Sequence, residues 1–287
     1  MVHINWEDGA TSRYPYIWLR DNDPSGFHPQ TKERAFDMTS IPLDITASEV
    51  ALNGDEITVR WQGDDHVTVF DLNWLRAHQP GKRADDPATA TPQQFWRSDL
   101  GAEGIPRANW TEVLESDDAL HDWMTLTRKF GLAIVEGIPD STEAGVQVAE
   151  RIGFLRRTNF GTVFEVESKP DPNNLAYTSI ALPLHTDLPN QEIAPGFQFL
   201  HCLANEAEGG GSMFCDGFAI AEDLRETDPE AFDLLANTSV PFRFHDEECD
   251  IRTRKRVIET DENGTVFEIC FNAHIADVLD IEPEKME

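Results

Sequence analysis

Residues 173–189 read NNLAYTSIALPLHTDLP, and the tripeptide His185-Thr186-Asp187 inside this run is the sharpest local feature of the chain. In a β-strand, side chains two residues apart point to the same face. A strand here therefore presents the His185 imidazole and the Asp187 carboxylate side by side. A nitrogen and a carboxylate oxygen so placed supply two of the three ligands of a facial two-histidine, one-carboxylate iron(II) site, whose open positions accept a bidentate 2-oxo acid and O2. H-x-D is a common tripeptide, however, and alone it reads far more often as a surface or core pair. Its surroundings decide.

Working outward, the segments on both sides read as short strands with turns from about residue 160, interrupted by a helical stretch at 221–238 that Pro229 breaks. Residues 254–271 read as a hairpin, RKRVIET then TVFEICF, turned at Glu262-Asn263-Gly264. Upstream, WTEVLESDDALHDWMTLTRKFG (110–131) predicts one helix with Leu120, Trp123, Leu126 and Phe130 on its apolar stripe and Gly131 at its end. LAIVEGI (132–138) predicts a buried strand. Asp140 or Ser141 is placed to cap a following helix with Val146, Ala149 and Ile152 on one face. Residues 79–94, QPGKRADDPATATPQQ, hold three prolines and no periodicity and read as a linker. The first 78 residues read as a small β-rich domain, with strands at YPYIWL (14–19), EITVRW (56–61) and HVTVFDL (66–72) and a turn signal at Asn53-Gly54. Helices outside a many-stranded antiparallel core predict an α+β catalytic domain of jelly-roll type over residues 95–287.

Composition limits the partners. Fifty-three acidic residues face 23 basic ones, a formal net charge of −30 at pH 7. Such a surface repels phosphate backbones and anionic membranes, so neither nucleic acid nor membrane is an expected partner, whereas a small cation is drawn toward it. No apolar run reaches the length of a bilayer span and MVHINWEDGA lacks a signal-peptide layout, so a cytoplasmic location is expected. The four cysteines, Cys202, Cys215, Cys249 and Cys270, show no C-x-x-C spacing and are expected to be reduced and mostly buried.

The run at 173–189, with PGFQFLHC at 195–202, EGGGSMFCDGF at 208–218, YPYIWLRDN at 14–22 and ICFN at 269–272, resembles the γ-butyrobetaine hydroxylase family of the taurine-dioxygenase-like iron(II)/2-oxoglutarate oxygenases. The matches run in order from about residue 14 to the end. The resemblance implies a double-stranded β-helix with flanking helices and a small N-terminal β-rich domain. It implies His185 and Asp187 as iron ligands, and Ser212, after Gly209-Gly210-Gly211, as the hydroxyl that helps hold 2-oxoglutarate. It also implies O2 as oxidant, ascorbate as reductant, succinate and CO2 as co-products, and a homodimer.

The family grips a trimethylammonium group with aromatic faces, and the matching positions are Phe160, Phe164 and Tyr177, with Asn174 and Asn272 as polar neighbours. Phenylalanine at the first two departs from the tyrosine and tryptophan of the γ-butyrobetaine enzymes, and Leu188 replaces an aromatic after His-Thr-Asp. Another quaternary amine, such as a trimethylated lysine, therefore stands beside γ-butyrobetaine as an expected substrate. The family's N-terminal zinc site is three cysteines and a histidine; here those positions read Asp23, Ser25, His28 and His66, so the zinc is expected to be lost and the domain to rest on a core including Trp18, Trp61 and Trp74.

The resemblance also implies a second histidine and a basic partner for 2-oxoglutarate on a later strand of the form N-x-x-x-x-H-x-R. None of His201, His245 and His274 sits in that context. The sequence thus reads as an oxygenase cut before its catalytic set is complete, and the 287-residue chain itself as inactive; the alternative is a non-catalytic protein that binds quaternary amines through the aromatic faces alone.

Overall fold

Alternation organises the first third of the chain. In Glu56–Trp61 the side chains of Ile57, Val59 and Trp61 are buried and those between them are not, the period of a strand with one face on a core. The computed structural model describes residues 1–84, 91–204 and 211–286. The chain divides into two compact units, Met1–Ala90 and Thr91–Glu287, a division that falls within the proline-rich segment 79–94. Among the described residues no helix is long and apolar enough to cross a membrane.

In the first unit, β1 (Val2–Asn5) pairs antiparallel with β2 (Thr11–Tyr14). β3 (Ala47–Asn53), β4 (Glu56–Trp61) and β5 (Val67–Asp71) form an antiparallel meander. Gly54, at φ +64, makes the turn between β3 and β4 that Asn-Gly predicts. The strand expected over 14–19 is not one. Pro15 fixes φ at −57 and precedes a short helix, α1 (Tyr16–Asp21), so that Leu19 reaches the core from a helical turn. A second short helix, α2 (Leu72–Ala77), is capped by Asp71. Tyr14, Leu19, Val59, Trp61, Phe70 and Leu75 are the centre of the core, with Trp18 and Trp74 packed against it; the Tyr14 hydroxyl donates to the Leu75 carbonyl at 2.7 Å.

The second unit opens with a parallel pair, β6 (Arg107–Asn109) and β7 (Ile134–Glu136), joined through two helices. The single helix expected over 110–131 is two, α3 (Trp110–Glu115) and α4 (Asp117–Phe130). Ser116 breaks them by leaving helical geometry and accepting from the Ala119 N–H, the preference of serine for a cap over a helix interior. Gly131 ends α4 in the left-handed region at φ +69, with its N–H on the Thr127 carbonyl at 2.7 Å. A Cβ there meets nothing within 4 Å, so Gly131→Ala is expected to cost only the conformational penalty, about 1 kcal/mol, seen as a lower urea midpoint at unchanged slope. An unmoved midpoint would contradict the left-handed assignment.

Ser141 caps α5 (Thr142–Ile152). Its buried residues are Ala144, Val148 and Ala149; of the expected face Ala149 is buried and Ile152 packs on the core while Val146 is only half-buried, and Val148 meets Val113 and Trp123 in one cluster. α6 (Gly217–Thr227) and α7 (Pro229–Asn237) pack Ala221, Phe232 and Ala236 against Ile258 and Val266. The expected hairpin over 254–271 is shorter: β10 (Ile258–Thr260) pairs with β11 (Val266–Ile269), while β9 (Asp250–Arg256) turns to β8 (Ser239–His245).

The strands expected from residue 160 are not formed among the described residues before β8. A strand exists only where its backbone finds a ladder partner, and among the described residues the one backbone-to-backbone bond from 153–204 to a later segment is that of Thr186 with Phe271. The fold is thus mixed α/β, with five small sheets among the described residues. The cysteines also differ from expectation: only Cys270 is buried, and Cys202 and Cys215 are exposed.

Candidate active site

His185 lies in irregular chain and Asp187 at a bend, rather than in a strand. The residue between them is nevertheless held as in one. The Thr186 N–H donates to the Phe271 carbonyl at 2.7 Å, and the Phe271 N–H donates to Thr186 Oγ1 at 3.0 Å. Asn272, buried, adds a bond from its Nδ2 to the Thr186 carbonyl at 3.2 Å. With Thr186 turned toward 271–272, its two neighbours present their side chains together, and His185 Nε2 stands 3.1 Å from Asp187 Oδ1.

That separation tests whether the pair suits a metal. Two ligands at right angles on bonds of about 2.1 Å lie about 3.0 Å apart. The other imidazole nitrogen, Nδ1, donates to the Pro183 carbonyl at 2.7 Å. A proton on Nδ1 leaves the Nε2 lone pair toward the carboxylate, the arrangement in which histidines ligate metals. The side chains are 25% and 36% exposed, so the pair is open on one side. It fits two positions of a facial triad. Among the described residues no group of three or more His, Cys, Asp or Glu side chains is disposed to hold a metal. His201 packs on α5, so close that a Cβ at Gly145 would meet its Nδ1 at 2.7 Å. His245 ends β8 opposite Asp250, and His274 is exposed with its N–H on Asn272 Oδ1.

The chain leaves the pair through strained backbone. Leu188 has φ +52, a left-handed conformation rare for a branched side chain. Asn190 follows, fully buried, with neither Oδ1 nor Nδ2 hydrogen-bonded among the described residues. Arg156 clamps the segment, donating to the Ile193 carbonyl and, at 2.9 Å, to Gln191 Oε1. Gln191 Nε2 in turn reaches Asn159 Oδ1 at 3.3 Å. Arg156, Asn159, Asn190 and Gln191 carried no sequence signal, because single polar residues in irregular chain have no period to reveal them.

Those bonds tie the segment that follows Asp187 to the one carrying Phe160. The Phe160 ring lies 6.0 Å from that of Phe164 and meets Phe244 of β8 edge-on at 5.1 Å. Phe244 was legible only as a strand residue. Tyr177 is buried at the end of a single 3-10 turn, Leu175–Tyr177, and Asn174 caps that turn through a bond from the Ala176 N–H at 2.8 Å. Asn174 therefore positions Tyr177. The partner of the Tyr177 ring is a cation, the Lys169 ammonium 3.9 Å from its centroid. Ser212 is exposed in irregular chain ahead of α6; Gly209 and Gly210 lie outside the described residues.

In the first unit, Asp23 and His66 meet at 2.5 Å, with Ser25 donating to Asp23, while the exposed His28 accepts from the Thr31 N–H. Asp23 to His66 is hydrogen-bond spacing, shorter than two ligands of one metal allow.

Residues 85–287 match the taurine catabolism dioxygenase TauD, TfdA family, and residues 1–76 match the γ-butyrobetaine hydroxylase-like N-terminal family. The chain is 41% identical over 273 residues to a gamma-butyrobetaine dioxygenase of Pseudomonas sp. (strain AK-1), covering 93% of this chain and 70% of that one. It is 30% identical over 297 residues to the gamma-butyrobetaine dioxygenase of Homo sapiens, covering 100% and 76%. It is 26% identical over 298 residues to a trimethyllysine dioxygenase of Meyerozyma guilliermondii, covering 97% and 74%. The chain therefore belongs to the TauD/TfdA family of dioxygenases, and carries at its front the γ-butyrobetaine hydroxylase-like N-terminal region.

Proposed function

We propose that the protein hydroxylates a C–H bond of a small trimethylammonium substrate, γ-butyrobetaine or a close relative, with iron(II) held by His185 Nε2 and Asp187 and with 2-oxoglutarate as co-substrate. The observation that carries this reading is the 3.1 Å convergence of those two side chains with Nδ1 already occupied by Pro183. When bound, iron(II) supplies the redox chemistry that couples O2 reduction to decarboxylation of 2-oxoglutarate and oxygen insertion into the substrate, and ascorbate keeps it reduced. The protein groups have simpler roles. Pro183 fixes the histidine tautomer, and Thr186 with Phe271 and Asn272 fixes the spacing of the ligands. Ser212 is assigned to the 2-oxoglutarate carboxylate. Phe160, Phe164 and Tyr177 offer aromatic faces to the cation, Asn174 orients Tyr177, and the excess acidic charge favours approach of a positive substrate. The architecture that goes with this activity is a double-stranded β-helix.

The test is succinate release by the enzyme with its catalytic set complete, this sequence together with any segment that supplies the second histidine and the basic partner, given iron(II), ascorbate and 2-oxoglutarate with γ-butyrobetaine, trimethyllysine or a trimethylammonium phosphonate. At least one is expected to raise succinate formation well above the substrate-free rate. A panel that leaves it at background rejects the substrate class.

A further inference from the structure

Lys169 stands where a substrate cation is expected. Its Nζ lies 3.9 Å from the Tyr177 ring centroid, within the range of a cation–π contact, and its backbone N–H donates to the Tyr177 carbonyl at 2.9 Å. Two independent contacts therefore hold one residue against the other. The chain continues as Pro170-Asp171-Pro172, whose prolines restrict the backbone of this strap. The Lys169 side chain is exposed, while Tyr177 beneath it is buried. The lysine backbone is thus fixed, and its side chain has solvent into which to swing.

We propose that the Lys169 ammonium is a tethered plug of the quaternary-ammonium site, occupying the Tyr177 face in the free protein and displaced by the substrate's trimethylammonium group. The inference rests on the reading of Tyr177 as part of that site. The exchange is chemically reasonable in both directions. A primary ammonium is strongly hydrated and returns to water readily, whereas a trimethylammonium ion carries its charge under methyl groups and loses less hydration on an aromatic face. The plug raises the threshold for binding: small cations compete with a lysine held at high local concentration, and ligands with a second point of attachment are favoured.

The test is calorimetric titration of the full chain with tetramethylammonium chloride. Lys169→Met keeps the length of the stem and removes the charge, and it is expected to bind tetramethylammonium about two- to fivefold more tightly, the worth of one exposed cation–π contact. Lys169→Gln is expected to change in the same direction and Lys169→Arg to keep wild-type affinity. In the wild type, saturating tetramethylammonium is expected to speed acetylation of Lys169 relative to the other five lysines, read by mass spectrometry. Equal or weaker binding by both neutral variants overturns the plug and leaves the aromatic site standing. No tetramethylammonium binding by any variant overturns the site itself and the plug with it.

Discussion

Replacing Asp187 by alanine is expected to lower the affinity of the protein for iron(II) by about a hundredfold or more and to abolish any 2-oxoglutarate-coupled turnover. Groups that merely orient a metal ligand change affinity about 10- to 100-fold, and the ligand itself must count for at least as much. The competing account of the same geometry is an ion pair between a protonated His185 and the carboxylate. A pair 25% and 36% exposed contributes under about 1 kcal/mol to stability, so in either account the variant stays folded and its urea midpoint moves little. The accounts divide on the metal. Anaerobic titration with iron(II), or with cobalt(II) as a spectroscopic substitute, gives a lost or much weakened signal for Asp187→Ala and His185→Ala if they are ligands. It gives curves superposable on the wild type if they are only a salt bridge. Asp187→Glu separates charge from position: it keeps the carboxylate but moves its oxygens by one methylene away from the 3.1 Å spacing, so only partial recovery is expected.

How much of this was legible beforehand depended on the range of the interactions. Strands β4 and β5, the cap at Ser141 and the stop at Gly131 follow from residues adjacent in sequence, and those are the elements the pattern of apolar and turn residues anticipates. The helix α1 was misread as a strand because six residues rich in aromatics satisfy either period, and Pro15 decided it. The break at Ser116 was missed because an apolar stripe running across two helices continues in the sequence even where the backbone does not. Longer-range consequences were out of reach. A strand over 183–189 needs a partner, and the pairing of Thr186 with Phe271 spans 85 residues. The site divides in the same way. His185 and Asp187 declared themselves by spacing, and the aromatic positions by resemblance. The Pro183 bond, the Arg156 clamp, the unpartnered Asn190 and the lysine over Tyr177 are facts of packing with no signature in composition or period.

The N-terminal unit makes the second strong prediction, because a single buried carboxylate gathers the polar bonds of its core edge. Asp23 is 2% exposed. It accepts from the Ser25 N–H at 2.9 Å and the Ser25 hydroxyl at 2.8 Å, from the Thr68 hydroxyl, and it meets His66 Nε2 at 2.5 Å, with Arg20 at 3.6 Å. Thr68 accepts in turn from Trp61 Nε1 at 2.9 Å, so a chain of bonds runs from a core tryptophan to the surface histidine through this one side chain. Asp23→Ala leaves the Thr68 hydroxyl, the Ser25 N–H and the imidazole without their acceptor in a buried place. Removing one member of such a buried network costs about 3 kcal/mol, enough to bring the unfolding midpoint of this small unit down by more than 10 °C at roughly 4–8 °C per kcal/mol. Asp23→Asn keeps one acceptor oxygen and is expected to lose about half as much. The pH dependence is fixed in sign. Burial pushes the Asp23 carboxyl upward, but the bonds from Thr68, His66 and Ser25 together outweigh it and hold the group below its ordinary value of 3.8. A carboxylate depressed on folding contributes its stability in full above the unfolded value and loses it as pH falls through the folded one. Thermal melts of the full chain should therefore show an acid limb opening below about pH 4 that is present in the wild type and flattened in Asp23→Asn. The same melts run on Asp187→Ala, which removes the proposed iron ligand of the second unit, with and without a chelator are expected to coincide at neutral pH. A midpoint of that variant that falls on chelation would reassign Asp23 and His66 from a hydrogen-bonded pair to metal ligands.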